Sequence, residues 1–181
     1  MNDGLIPHRY AKALYKLALE RGNQKAVYEE MKAVVAAFES NPDLNKVMNN
    51  PFISREDKSR LLLTAAGSGV EDDYRAFVRL IIDKDREMYA YEMALAFRDI
   101  YRQANGISRV LITTAAPMPD AQMDKIRALV TSSFPGRTLE FSAAVDPGLI
   151  GGFVIDVDNV RMDASLSNEL EKIRLTLLSS K

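Results

Sequence analysis

The chain has 181 residues, with 24 Lys and Arg against 25 Asp and Glu, no cysteine, no tryptophan and one histidine. This composition excludes a disulfide scaffold, a thiol nucleophile, a cysteine zinc site and any multi-histidine metal cluster. The formal charge of −1 gives no basic footprint for nucleic acid or a membrane surface.

The opening MNDGLIPHRY lacks the basic-then-apolar pattern of a signal peptide, and no apolar run approaches the length of a membrane span. Pro7 suits the first turn of a helix over 7–21, with Tyr10, Leu14, Leu17 and Ala18 on one face and Gly22 ending it. A second helix is predicted over 24–39, with Val27, Met31, Val34, Val35 and Phe38 at core spacing. Pro42 and Pro51 bracket a short helical turn at 43–48. Ser54 with Asp57 forms a capping arrangement that opens a helix over 55–66, whose apolar block is Leu61, Leu62 and Leu63. The next helix, 70–83, turns Tyr74, Phe77, Val78, Ile81 and Ile82 inward and carries Glu71, Asp72 and Asp73 in its first turn. A last, long helix is predicted over 85–105, with Met88, Tyr91, Leu95, Phe97 or Arg98, and Tyr101 at spacings near three and four and Gly106 closing it.

After Gly106 the apolar period changes from 3.6 to a mixture of 3.6 and 2. Strands are predicted at 107–114, 138–145 and 150–157, with a brief one at 160–162. Helices over 120–133 (Met123, Ile126, Leu129 and Val130 buried) and 167–178 complete the order. Leu166 or Leu170, Ile173 and Leu177 share one side of the last helix. The fold class read from this pattern is two-domain. An N-terminal all-α six-helix bundle spans 1–105, and a small C-terminal α/β (α+β) domain with a mixed sheet spans 106–181. Charge does not mark the boundary, since 1–105 holds 16 basic and 16 acidic residues and the remainder 8 and 9.

No constellation in the sequence reads as an active site. His8 beside Pro7 is a surface or cap residue with no nucleophile near it in sequence. The run GLIGG, 148–152, precedes a strand and lacks a Gly-Lys-Ser/Thr, so Gly151 and Gly152 are read as a turn and a close backbone approach, with replacement of Gly152 costly. Asp156, Asp158 and Asp163 fail the calcium-loop spacing, because Val160 and Arg161 stand where an oxygen ligand and a glycine belong. Catalytic, metal and cofactor sites are therefore all expected to be absent. Ala11, Ala13, Leu14, Leu17 and Ala18 surround more than half of the first helix, which suits either a partner helix in a groove or simply the centre of the bundle. The groove expected on the first reading combines Tyr10, Ala11, Leu14 and Ala18 with Phe77, Val78, Ile81 and Ile82, and Ala11→Glu is its probe.

The opening IPHRYAKALYKLALERG and the block 145–174, VDPGLIGGFVIDVDNVRMDASLSNELEKIR, resemble the delta subunit of bacterial F-type ATP synthase, the counterpart of the mitochondrial oligomycin-sensitivity-conferring protein. The pattern is carried by Leu149, the pair Gly151 and Gly152, the strand Phe153 to Ile155, the acidic turn at Asp158, and the Asp163, Ser165 element leading into the last helix. Asp156 and Asp158 make acidic a stretch that is often basic or polar in the family. The resemblance implies a non-catalytic peripheral-stalk subunit, one copy per complex. Its helical domain would grip the N-terminal helix of an alpha subunit on the F1 head, and its C-terminal domain would meet the b subunits anchored in Fo. It further implies peripheral placement at the cytoplasmic face of the bacterial inner membrane, no cofactor, no direct nucleotide binding, and a part in proton-driven ATP synthesis. An unrelated helix-binding adaptor and a small enzyme using GLIGG are the competing readings.

Overall fold

In the computed structural model, which describes residues 4–179, the chain divides into two compact units, Met1–Ala104 and Asn105–Lys181. The first holds α1 (Leu5–Arg21), α2 (Gln24–Ser40), α3 (Asp43–Asn49), α4 (Arg55–Ala65), α5 (Asp72–Asp83) and most of α6 (Ala90–Asn105). Helix α1 begins two residues ahead of Pro7, which still falls in the first turn, where a missing N–H costs no intrahelical bond. Gly22 takes a left-handed conformation (φ 73°), and the Asn23 N–H reaches back to the Ala18 carbonyl at 3.1 Å, closing the helix. The predicted faces of α2 and α5 are buried throughout. In α4 the Ser54 hydroxyl accepts from the Asp57 N–H at 3.1 Å and donates to the Asp57 carboxylate at 2.7 Å. Only Leu62 of its leucine triplet is buried, because consecutive residues on a helix point about 100° apart.

The predicted helix over 85–105 is interrupted. Asp85 adopts φ 52°, and the Arg86 N–H closes onto the Ile81 carbonyl at 2.7 Å. A single 3-10 turn at Glu87–Tyr89 then precedes α6. The cause lies on a distant element: Glu87 is buried and accepts from Lys58 Nζ at 2.7 Å, while the same ammonium donates to the Met48 carbonyl at 3.0 Å. This buried pair pins α3, α4 and the turn together and fixes the phase of α6. Its core face is consequently Ala90, Met93, Ala94, Phe97 and Tyr101, and Met88 is left exposed. Tyr28 of α2 stacks on Tyr101 with ring centroids 4.1 Å apart.

The second unit is a four-stranded mixed sheet of order β2-β1-β3-β4. Strand β1 (Ile107–Thr114) pairs parallel with β2 (Thr138–Val145) across the crossover helix α7 (Asp120–Ser133), and antiparallel with β3 (Gly152–Val157). Strand β4 (Val160–Ser165) pairs antiparallel with β3 and leads directly into α8 (Leu166–Ser179). The core is Val110 and Ile112 of β1, Ile155 and Val157 of β3, and Met123 and Val130 of α7. Leu129 is exposed instead of buried, since it lies on the solvent side of the turn that places Val130 inward. Strand β3 begins at Gly152, two residues later than predicted, because Ile150 has φ 64° and closes a 3-10 turn at Pro147–Leu149. Strand β4 extends three residues beyond the predicted 160–162, since Asp163, Ala164 and Ser165 continue the ladder opposite Val154, Phe153 and Gly152.

Candidate functional site: a helix groove and an uncovered helix

Two apolar surfaces stand out, one on each unit. On the helical unit, α1 and α5 border a cleft of about 160 Å³ lined by Tyr10, Ala13, Leu14 and Leu17 of α1 and Asp73, Ala76, Phe77 and Leu80 of α5. Of the eight residues predicted for this groove, Tyr10, Leu14 and Phe77 line it. The other five face inward: Ala11 and Ala18 are 0% exposed, and Val78, Ile81 and Ile82 are buried among the core side chains. The correction has a simple physical origin. Ala11, Leu14 and Ala18 follow the i, i+3, i+7 stripe that meets the unit's own interior, whereas Ala13 lies about 160° round the helix from Ala11 and closer to Leu17. The cleft also takes in Ala13 and Leu17, which the sequence places on the small-and-apolar surface of α1 without assigning them to the groove, and Ala76 and Leu80, which it does not single out. Their signal was present as two i, i+4 pairs of a small residue and a leucine, one on each helix. Ala11→Glu therefore probes the core, and Ala13→Glu probes the groove.

One end of the groove is polar. Asp73, 1% exposed, accepts from Asn23 Nδ2 at 2.9 Å through Oδ2, and Arg21 lies 2.5 Å from its Oδ1. Asn23 also donates to Glu71 Oε2 at 3.2 Å, and the Glu71 N–H donates to Glu30 Oε1 at 2.5 Å. Burial raises the Glu30 pKa above the ordinary carboxylate value, and the charge on Glu71 adds to this, while the Glu71 N–H works against it. Behind this network Tyr74 donates to the Leu62 carbonyl at 3.0 Å, and burial pushes its phenol pKa up.

On the second unit, Gly151, Gly152, Asp163 and Ser165 form the base of α8. Gly152 has φ 75°, and a Cβ there would land on the Ala164 carbonyl oxygen and 3.1 Å from Ser165 Cα. Gly151 is less constrained: its Cβ would meet only the flexible Leu166 side chain, at 2.6 Å, and its carbonyl accepts from the Leu166 N–H. Asp163 Oδ1 accepts from both the N–H (3.0 Å) and hydroxyl (2.6 Å) of Ser165, and Ser165 Oγ in turn accepts from the Asn168 N–H at 3.2 Å. The Ser165 bonds lower the Asp163 pKa. The four residues thus cap α8 and weld it to the β3–β4 hairpin, which accounts for GLIGG without a phosphate. Asp158, which the sequence places in an acidic turn, accepts from the Arg109 N–H at 3.0 Å and continues the pairing of β1 past the end of β3. Among the described residues, no group of three or more His, Asp or Glu side chains is placed to hold a metal ion.

The helix held in this way is uncovered. Leu166, Leu170, Ile173 and Leu177 follow a 4-3-4 spacing, the seam of a helix that packs on another helix, and each is at least 52% exposed. His8 is exposed and borders a separate open cleft with Glu92 and Asp99.

An apolar groove and an uncovered apolar helix are the equipment of a subunit that holds other chains. A profile of the family described as "ATP synthase delta (OSCP) subunit" matches residues 6–177. ATP synthase subunit delta of Phocaeicola vulgatus is 37% identical over 175 residues, covering 96% of this chain and 94% of that one. Subunit delta of Parabacteroides distasonis is 35% identical over the full length of both chains. A chain of the Toxoplasma gondii mitochondrial ATP synthase hexamer shares the fold, with a TM-score of 0.74 at 19% identity over 95% of this chain and 97% of its own. The chain belongs to the ATP synthase delta (OSCP) subunit family. It is a peripheral-stalk subunit of F-type ATP synthase with no catalytic activity of its own, and the readings as an unrelated adaptor or an enzyme fall away. Among the described residues no helix is long and apolar enough to cross a membrane.

Proposed function

We propose that the two surfaces divide the work of the stalk joint. The α1–α5 groove takes the N-terminal amphipathic helix of an alpha subunit of the F1 head, and the seam of α8 takes the b subunits that reach the membrane sector. In this reading residues 1–105 are the head-binding domain, residues 106–181 are the stalk-binding domain, and one copy serves each complex at the cytoplasmic face of the inner membrane. The observation that carries it is the pairing of small and apolar side chains, the exposed Ala13, Ala76 and Leu80 and the half-buried Leu17, along a groove with a buried Leu14 and Phe77 floor. Small rims let a second helix approach closely, and leucines supply the apolar contact. Long-lived attachment at both surfaces lets the head resist torque while nucleotide chemistry proceeds on other chains.

The test compares membranes reconstituted with and without this subunit. ATP hydrolysis persists in its absence, whereas ATP-driven proton pumping and ATP synthesis collapse. Equal pumping per ATP hydrolysed in both preparations overturns the proposal.

A further inference from the structure

One of the nine asparagines precedes a glycine, and that Asn105–Gly106 step lies where α6 gives way to β1. The others have followers that hinder or forbid attack by the next backbone nitrogen on the amide. Asn41 and Asn50 precede prolines, whose nitrogen carries no hydrogen, and Asn159 precedes the β-branched Val160. Asn45 and Asn168 precede long side chains inside α3 and α8. The Asn105 step is also open. Arg102 is buried, but the next four residues, Gln103 to Gly106, are all exposed before β1 begins at Ile107. A Cβ placed on Gly106 would meet nothing within 4 Å. The last turn of α6 can therefore unwind without giving up a core contact, which makes it a cheap place for the backbone to open.

That combination suits one reaction of asparagine, a thermolabile residue, with water as the only co-reactant. Once α6 frays, the Gly106 backbone nitrogen gives its proton to hydroxide and attacks Asn105 Cγ. The new N–Cγ bond closes a five-membered succinimide, and the Cγ–Nδ2 bond breaks as ammonia leaves. Glycine helps because it has no Cβ to crowd the ring and reaches backbone angles closed to other residues. Water then opens the ring at one of its two carbonyl carbons. Opening at Cγ gives aspartate. Opening at the main-chain carbonyl gives iso-aspartate, in which the chain runs through Cβ and Cγ and the α-carboxylate is free. No electron is gained or lost. The iso-aspartyl form lengthens the link by one methylene and sets a negative charge at the C-terminal end of α6, where the helix dipole disfavours it. It also shifts Gly106 out of the left-handed position, φ 62°, from which it ends the helix.

We propose that Asn105–Gly106 is a covalent modification site: in the folded chain Asn105 deamidates through a succinimide ahead of the other asparagines, and its iso-aspartyl product loosens the link between the two units. Strand β1 stays anchored by its pairing with β2 and β3, so the loosening falls on the last turn of α6.

The experiment holds the full chain folded at mildly alkaline pH and samples it over time. Trypsin, cutting after Arg102 and Arg109, releases the site as peptide 103–109. That peptide gains the mass of an amide-to-acid exchange before any other asparagine peptide does, and it does so faster as pH rises. It also accepts methyl groups from S-adenosylmethionine through protein isoaspartate methyltransferase, which marks iso-aspartate. Both signals vanish in Asn105→Gln, whose ring would have six members, while its thermal melt matches the parent. Conversion at 103–109 no faster than in the peptides holding Asn159 or Asn168 overturns the site. So does conversion there only after unfolding in urea, since the end of α6 would then not open in the folded chain. The effect on the link is read by brief trypsin treatment of the folded chain. The iso-aspartyl form, isolated from aged protein, is cut at Arg102 several times faster than the unmodified form. Equal rates overturn the loosening.

Discussion

Replacing Gly152 by alanine isolates the weld between α8 and the sheet. The residue sits at φ 75°, where an L side chain costs about 1–2 kcal/mol. The added Cβ also collides with the Ala164 carbonyl oxygen on β4, a backbone atom that cannot rotate away. Relieving the collision pulls apart the Gly152–Ser165 end of the ladder, at about 1 kcal/mol for a backbone hydrogen bond, and disturbs the Ser165 cap of α8, worth about 1 kcal/mol. Reduced freedom of the unfolded chain returns about 0.4–1 kcal/mol. The net loss is about 3 kcal/mol. Gly151→Ala is the control, because its backbone φ is not in the left-handed region and its Cβ meets only the Leu166 side chain, whose flexible end swings aside for well under half that cost. Urea denaturation followed by far-ultraviolet circular dichroism reads both variants, and the Gly152→Ala shift falls on the unit 105–181. Equal midpoints for the two alanine variants would refute the reasoning, since they would show that neither the left-handed backbone nor the Ala164 oxygen constrains the site.

Three further outcomes are expected. Ala11→Glu unfolds the helical unit, because it buries an unpaired charge, whereas Ala13→Glu melts like the parent but weakens binding of an alpha N-terminal peptide in calorimetry. Lys58→Met lowers stability by about 3–5 kcal/mol by leaving Glu87 buried and unpaired, and the double variant Lys58→Met, Glu87→Leu recovers much of it in the same melt. Glu30 holds its proton more tightly folded than unfolded, so the folded state binds the extra proton and this carboxyl favours folding more as pH falls from neutral toward its unfolded value of 4.5. Glu30→Gln is therefore more stable than the parent at neutral pH, and the gap between their urea midpoints closes on acidification. A gap that widens on acidification contradicts that sign.

Elements with one apolar face were legible because a single period determines them. Helices α2 and α5 present Val27, Met31, Val34, Val35 and Phe38, or Tyr74, Phe77, Val78, Ile81 and Ile82, to one side and nothing comparable to the other. The break before α6 was not legible. It depends on Lys58 reaching Glu87 across 29 positions, and neither residue differs locally from the solvated charges around it. The groove was half legible for a related reason. Both Ala11 and Ala13 are small, so composition marks α1 as closely approached from more than one side, and only the packing of α2 and α5 decides which side is interior. Strand β4 reads short in sequence because Asp163 and Ala164 are weak strand formers, although VRMDAS alternates apolar and polar residues. It extends by backbone pairing with β3, leaving five of its six side chains outside.

The remaining question is whether the joint needs one continuous chain, and the size of the groove argues that it does. A cleft of about 160 Å³ between two helices is a modest site for a long-lived attachment. Two such surfaces on one chain gain from linkage, since occupancy of one presents the other at an effective concentration in the mM range. In the proposed division of labour the connection also carries force from the partner of one unit to the partner of the other. That connection is short, α6 ending at Asn105 and β1 starting at Ile107 around Gly106, whose φ is 62°. A protease site inserted after Gly106 therefore separates holding from transmitting. Before cleavage, reconstituted membranes couple hydrolysis to pumping. After cleavage in place, both units remain bound at first, hydrolysis continues, and pumping per ATP falls toward that of membranes lacking the subunit. Full coupling after complete cleavage would mean that the two units transmit load by contacts other than the chain between them, and the division of labour between groove and seam would have to be abandoned.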